Sequence, residues 1–363
     1  MKHPRAQASW TPPVNVVLVG CGAVARNYYL PALERLVAGG WVGATRTFDS
    51  NPIRATEIAS QLPAGSVAKS WADVLEGPDE VAIVASPPLA HADQVRALLD
   101  HGKHVLCEKP FVLDRAAGES LVDLARERGL LCAAGMVRRF SRSAGLLRQF
   151  LSEERPTRVV WREGSPFRWP VDSPAYFAPD AGNQLLWDIG SHVVDLLVWW
   201  LGVPHEVSCR EDAMGGTATN CVLELEWPHG CSGEVRLSRE YDLASGLVVE
   251  GRSGVLACRD LIEAGVFLGS TEVAPDFEQP IPGAVAPAGR TFADCFELQL
   301  RNVVAAVRGA ATLWAPAEDV LGGVGTLGRA HAESRLLEPP WLGPHEVETV
   351  RALRARVEAV ASR

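Results

Sequence analysis

The β-branched run Val14-Asn15-Val16-Val17-Leu18-Val19 leads directly into Gly20-Cys21-Gly22-Ala23-Val24-Ala25, and residues 26–39 after it can be helical. No other segment constrains the fold as much as this strand turning through two glycines into a helix. The first glycine permits the tight turn, and the second lets a pyrophosphate approach the backbone. The small third residue lets helix and strand pack closely, and the helix N-terminus then faces the phosphates. This is a G-x-G-x-x-A form of the dinucleotide fingerprint, and its strand–turn–helix context is what gives it weight. Gly20, Gly22, Ala23 and Val24 are therefore candidate cofactor contacts. Asp49 ends the next strand, 27 residues after Gly22, where a carboxylate can accept from adenosine ribose hydroxyls. Its charge favours NAD over NADP, although Arg46 and Arg54 are near enough in sequence to keep NADP possible.

The pattern after Asp49 repeats the theme. Helical 52–62, strand-like "EVAIVAS", helical "HADQVRALLDHG", strand-like "HVLCEK", helical "RAAGESLVDLARERG" and "LLCAAGM" follow in turn. Strands alternating with helices at this spacing imply a parallel, doubly wound sheet. The rhythm changes near residue 135. A helical segment, the strand "TRVVWREG", a Pro- and aromatic-rich loop over 164–181 and a helix starting near Asp188 precede six strand-like runs without helices between them. That pattern reads as an antiparallel sheet. The division expected is a nucleotide-binding domain over 1–134 and a substrate-binding and oligomerisation domain over 135–363. Helices are expected over about 292–309, 316–336 and 344–361, the last an amphipathic packing element.

Several function classes recede on composition. The formal net charge is −9, so no nucleic-acid partner is expected. The longest apolar run, "VVDLLVWWLGV", carries Asp195 and is too short for a membrane span, so no membrane partner is expected either. "MKHPRAQASWTPP" lacks the apolar core of a secretory signal. The eight cysteines form no C-x-x-C pair, so no metal site is signalled, and the expected compartment is cytoplasmic. Too few helices remain to cover both faces of the second sheet. An exposed apolar face would then make the protein a homodimer or homotetramer.

Two short stretches carry chemistry. The chain has 31 arginines and four lysines, Lys2, Lys69, Lys103 and Lys109. Arginine keeps its proton near neutral pH, whereas lysine can lose one when its surroundings lower its pKa. Lys109 sits in "CEKP", between Glu108 and Pro110. Further on, Asp188, His192 and Asp195 in "WDIGSHVVDLL" share one helical face, at separations of four and three. Histidine suits proton exchange near neutral pH, and a carboxylate can fix its tautomer. An N-capping aspartate with a satisfied histidine would give the same pattern.

Taken with "VGCGAVA", "VASPPLAHADQVRALLDHGKHVLCEKP" and the closing stretch 292–334, these segments resemble the glucose–fructose oxidoreductase / inositol dehydrogenase / rhizopine-catabolism (Gfo/Idh/MocA) family in its own order. The resemblance implies a Rossmann domain followed by an α/β domain with a large open, mostly antiparallel sheet. It implies an NAD(P)-dependent enzyme that transfers hydride to or from a sugar, aminosugar, nucleotide sugar or cyclitol. Lys109, Asp188 and His192 would be catalytic, Glu108 would lie on the nicotinamide ribose side, and Ser86, Pro87 and His91 would line the cofactor cleft. The chain departs from similar proteins at Gly182-Asn183-Gln184, where three glycines are usual, and at Leu89, where a polar residue is usual. Arg138, Trp169, Tyr176 and Asn183 are candidate substrate contacts, since aromatic faces suit sugar C–H surfaces and amides and arginines suit hydroxyls or anions. Trp161 and Trp187 fit core aromatics equally well. A non-catalytic dinucleotide-binding regulator and an NAD-dependent glycoside hydrolase are the alternatives of the same fold.

Overall fold

A computed structural model describes residues 13–168, 170, 184–212, 217–262, 265–273, 289, 291–338, 348, 349 and 352. Its first half contains strands β1 (Val14–Val19), β2 (Val42–Phe48), β3 (Gly65–Val67), β4 (Val81–Val84), β5 (His104–Glu108) and β6 (Cys132–Gly135). Between them run helices α1 (Leu30–Ala38), α2 (Pro52–Gln61), α3 (Trp71–Glu76), α4 (His91–Asp100) and α5 (Arg115–Arg128). The order across the sheet is β3-β2-β1-β4-β5-β6, and every pairing is parallel. The order reverses between β1 and β4, which opens a crevice at the carboxyl ends of the strands, where ligands of such sheets bind. All residues of β4 and β6, and all but one of β1 and β5, are buried, as a sheet covered by helices on both faces requires. The short β3 and α3 lie in a stretch too brief for periodicity to reveal.

The second half contains α6 (Arg142–Glu153), β7 (Arg158–Gly164), α7 (Leu185–Leu201), β8 (Glu206–Glu211), β9 (Asn220–Glu226) and β10 (Ser232–Ser238). Then come β11 (Gly246–Gly251), β12 (Gly254–Cys258), β13 (Val266–Leu268), β14 (Thr271–Glu272), α8 (Phe292–Val307), α9 (Ala317–Ala332) and β15 (Arg335–Leu336). The nine strands order as β14-β13-β12-β11-β7-β10-β9-β8-β15. Only β7 with β10 and β8 with β15 pair in parallel. The helix expected to reach 336 ends at Ala332, and its last residues join the sheet edge as β15. The helix expected over 344–361 falls almost wholly outside the described residues.

Alternate residues of β7, β9, β10 and β11 point to a core beneath α7: Val159, Trp161, Leu223, Val235, Leu237 and Leu247 are each 3% exposed or less. Trp161 stacks on Trp200 of α7, and Trp161 and Trp187 are both core aromatics. The opposite face is less apolar than expected. Half-buried Val160, Val222 and Val248 alternate with the ion pairs Arg210–Glu224, Arg236–Glu234 and Arg158–Glu250.

The chain then returns to its first half. α8 packs on α1, and α9 on both α5 and α7. Phe296 of α8 stacks on Tyr28 and meets Tyr29 edge-on, while the Ala134 amide donates to the Ala315 carbonyl at 2.9 Å beside the edge strand β6.

Asp195 does not face the site with its helical neighbours. Arg139 donates to both its oxygens, at 2.9 and 2.6 Å, and both side chains are buried, at 0% and 4% exposure. The pair joins α7 to the turn after β6, where Arg139 is unavailable to any substrate. Removing one partner of such a pair leaves a buried charge uncompensated. We expect Asp195→Ala to lower unfolding stability by about 3–5 kcal/mol, measured by urea unfolding. A loss no larger than that of a surface substitution would show that the pair does not hold the two halves together.

Candidate active site

The crevice begins at the glycine turn. Gly20 has φ +92°, and a Cβ there would lie 2.6 Å from the Ala85 carbonyl carbon and the Ser86 amide, so only glycine fits. A Cβ at Gly22 would meet nothing within 4 Å. The backbone there borders open space at the start of a helix, which fits the approach of a phosphate. That helix opens on Ala23 and Val24 and passes through a π turn, Ala25–Tyr29, into α1. Asp49 braces the turn: its Oδ2 accepts from the Cys21 amide at 2.7 Å and its Oδ1 from the Asn51 amide at 2.8 Å. A carboxylate has about four lone-pair sites, so both oxygens can still accept from a ribose diol. Arg46 is turned away and paired with Asp73 and Asp79, which removes one of the two cations that could have favoured a 2′-phosphate.

The loop after β4 is fastened to the turn after β5. His91 is fully buried, with Nδ1 2.9 Å from the Pro110 carbonyl and Nε2 2.9 Å from the Ser86 carbonyl. Burial pushes its pKa down, against the pull of those carbonyls. With both nitrogens engaged, His91 ties two loops together and does not face the crevice, contrary to the expectation that it lines it. Ser86 Oγ donates to Gln94 at 2.6 Å, and Pro87 opens the short turn that leads into α4. Glu108 also turns inward. Tyr29 Oη donates to its Oε1 at 2.7 Å, and the Lys109 amide to its Oε2 at 3.0 Å. Burial raises the Glu108 pKa, opposed by the Tyr29 hydrogen bond and the Lys109 charge. Gln299 of α8 donates to Tyr29 Oη at 3.4 Å. These contacts make Glu108 a support of the strand end.

Lys109 follows the last residue of β5, so its amine stands at the carboxyl edge of the parallel sheet. The Lys109–Pro110 peptide is cis. Lys109 Nζ donates to Asp188 Oδ1 and, at 3.3 Å, to the Asp188 carbonyl. Arg239, just past β10, pairs with Asp188 Oδ2. Asp188 thus sits in the first turn of α7 with one oxygen on each cation. Nearby, Arg138 donates to both oxygens of Glu163, at 2.8 and 2.6 Å.

Burial pushes the Lys109 pKa down to about 8; Glu108 pulls it up, and Arg239 and Arg138 reinforce the fall. The amine also donates to Asp188, whose other oxygen is taken by Arg239. His192, one helical turn after Asp188, is 8% exposed. Burial, then the charges of Arg138 and Lys109, hold its pKa well below the ordinary histidine value, so it is a neutral imidazole. Its Nδ1 is buried with no hydrogen-bond partner among the described residues.

The structure therefore brings Lys109, Asp188 and His192 together. Arg138 is at the site but is committed to Glu163. Trp169, Tyr176 and Asn183 lie outside the described residues. A cleft of about 310 Å³ borders the Arg138–Glu163 pair, lined also by Trp161, Ile189, Leu261 and Phe292, but not by Lys109 or Asp188. Sequence reasoning missed Arg239 and Glu163. Each sits in an alternating strand segment rich in charges and reads there as a solvated side chain.

Three comparisons bear on this arrangement. Residues 14–136 match the family described as "Oxidoreductase family, NAD-binding Rossmann fold". Residues 149–257 match the GFO/IDH/MocA C-terminal domain.

The chain belongs to the GFO/IDH/MocA family.

It spans about half the length of the curated relatives it matches. One is an uncharacterized oxidoreductase of Schizosaccharomyces pombe, 27% identical over 54% of this chain and 54% of the relative. An NADP(+)-dependent scyllo-inositol 2-dehydrogenase of Bacillus subtilis is 27% identical over 43% of this chain and 45% of the relative. Among solved structures, a 3-ketoreductase from Actinomadura kijaniata in complex with NADP and TDP-benzene superposes with a TM-score of 0.75. It is 22% identical, with 90% of this chain and 100% of that chain covered, and it shows the fold of this family member.

Proposed function

We propose that the protein is an NAD(P)-dependent oxidoreductase acting on a secondary alcohol or ketone of a sugar-like or cyclitol substrate. One observation carries the reading: the Lys109 amine, at the carboxyl edge of the family's nucleotide-binding sheet, meets Asp188 and sits within the electrostatic reach of a neutral His192. Residues up to 134 hold the cofactor, with Gly20, Gly22, Ala23 and Val24 at the phosphates, Asp49 at the adenosine ribose, and Ser86 and Pro87 beside the crevice. Residues from 135 on present the substrate. The nicotinamide, when bound, supplies the hydride acceptor or donor. The chain's own residues handle the proton. Lys109 takes it from the substrate hydroxyl in oxidation and returns it to the oxygen in reduction. Asp188 orients the amine, and His192, whose Nδ1 has no hydrogen-bond partner among the described residues, holds a substrate oxygen in this reading. Trp169, Tyr176 and Asn183 complete the proposed substrate contacts.

The support for a cytoplasmic protein is its eight buried free thiols. The face of the second sheet that no described helix covers, with its valines set among charge pairs, is proposed as a contact in a homodimer or homotetramer. A monomeric mass by light scattering at micromolar concentration would remove that proposal.

The cofactor preference follows from Asp49. Expected is a higher kcat/KM with NAD than with NADP, and an Asp49→Ser ratio moved toward NADP by about tenfold, or about 1.4 kcal/mol. A ratio unchanged by the substitution would mean that Asp49 only braces the glycine turn.

The reading of Lys109 has its own test. Lys109→Met is expected to keep cofactor affinity by fluorescence titration and to lose about two to four orders of magnitude in kcat. Lys109→Arg should not restore it, because guanidinium keeps its proton. Oxidation needs the neutral amine, so its kcat/KM should rise as pH rises through about 8; ketone reduction needs the ammonium and should fall over the same range. A Lys109→Arg variant as active as the parent would reduce the lysine to a fixed positive charge.

A further inference from the structure

Asp188 has two cationic partners, and they come from different sheets. Lys109 follows β5 of the parallel sheet, and Arg239 follows β10 of the second sheet. Arg239 is 7% exposed, which is uncommon for arginine unless it is paired. Its backbone is fastened on both sides: the Arg239 amide donates to the Thr219 carbonyl at 2.9 Å, and the Arg239 carbonyl accepts from the Phe167 amide at 2.7 Å. The guanidinium lies over the Phe167 ring, 5.0 Å from its centroid, in the range of a cation–π contact. A side chain that leaves a fastened backbone and stacks on a ring has little freedom left to lose when it binds a carboxylate. It can therefore set where that carboxylate stands.

We infer that Arg239 is a positioning residue of this site: by taking one oxygen of Asp188 it fixes that carboxylate against Lys109 and leaves the lysine able to release its proton. The inference rests on the reading of Lys109 as the proton-transfer group.

The physical reasoning concerns competition. A carboxylate paired with lysine alone favours the ammonium, whereas a second cation on the same carboxylate draws off part of that attraction and adds like-charge repulsion. The other charges around the amine are Glu108 from β5, Arg138 from the turn after β6 and Glu163 from β7, together with the neutral His192 of α7. Arg138 and Glu163 bind each other with two hydrogen bonds, and Glu108 is held by Tyr29. Arg239 is thus the cation that shares a carboxylate with Lys109.

The chain's four lysines make a direct test practical. Reductive 13C-methylation gives few resonances, and the one that is lost in Lys109→Met reports Lys109. Expected is a midpoint that rises by about one pH unit in Arg239→Met. The pH limb of kcat/KM should move with it, and Arg239→Lys should stay near the parent in both measurements. Arg239→Gln, which can still hydrogen-bond Asp188 but carries no charge, should also shift upward and serves if the methionine variant does not fold. A folded Arg239→Met or Arg239→Gln whose Lys109 midpoint is unmoved overturns the inference. A midpoint that moves while the limb of kcat/KM stays fixed supports the role of Arg239 but sinks the reading of Lys109 as the proton-transfer group.

Discussion

The Asp188 carboxylate is the point on which both halves of the molecule depend. Lys109 reaches it from the parallel sheet, Arg239 from the second sheet, and the residue itself opens α7 between them. A carboxylate so placed makes a cleft between two layers behave as one site. Twelve of the seventeen residues of α7 are buried, so packing seats the helix along most of its length. Trp200 on Trp161 fixes its far end, and Asp195 on Arg139 fixes its middle. The position of the first turn follows from both.

The other support of the site comes from the end of the chain. Gln299 donates to Tyr29, Tyr29 to Glu108, and Glu108 accepts the Lys109 amide. These hydrogen bonds run from α8 through the π turn that precedes α1 to the end of β5. A buried carboxylate is costly unless its oxygens are satisfied, and here each oxygen has a donor. Glu108 therefore serves better as an anchor for the strand end than as a contact for a ribose. His91 does the same on the neighbouring loop.

How much of this was legible in the chain depends on the range of the interaction. The strand–glycine–helix turn, the alternation that makes a parallel sheet and the change of rhythm after residue 135 are local patterns, and the longer elements of the first half appear where periodicity places them. Lys109, Asp188 and His192 were also legible, because short motifs carry them. Asp195 was misassigned: helical spacing puts it near the face of His192, but only the fold brings Arg139 to it from the turn after β6. Arg239 was invisible for the same reason. Its neighbours alternate as a half-buried strand should, and nothing local distinguishes an arginine that ends against a carboxylate from one that ends in water. The outer face is less apolar than expected for a related reason, since strand alternation gives two faces without saying how many charges on one of them will pair.

The balance of charge at the site explains why lysine, and not arginine, stands at residue 109 in a chain so rich in arginine. Lys109, Arg138 and Arg239 face Glu108, Glu163 and Asp188, three cations against three carboxylates. Arg138 and Arg239 keep their protons over any range in which the protein works, and His192 is neutral. Burial pushes the Glu108 pKa up, but Tyr29 and the Lys109 amide occupy its oxygens away from the crevice. Lys109 is left as the cation that can change its charge, at a pKa brought down to about 8. Its proton can leave because the two arginines remain. They still compensate two of the carboxylates when the amine is neutral, so the site gains only one net negative charge. An arginine in place of the lysine would keep a positive charge beside the carboxylate, but the proton could not move.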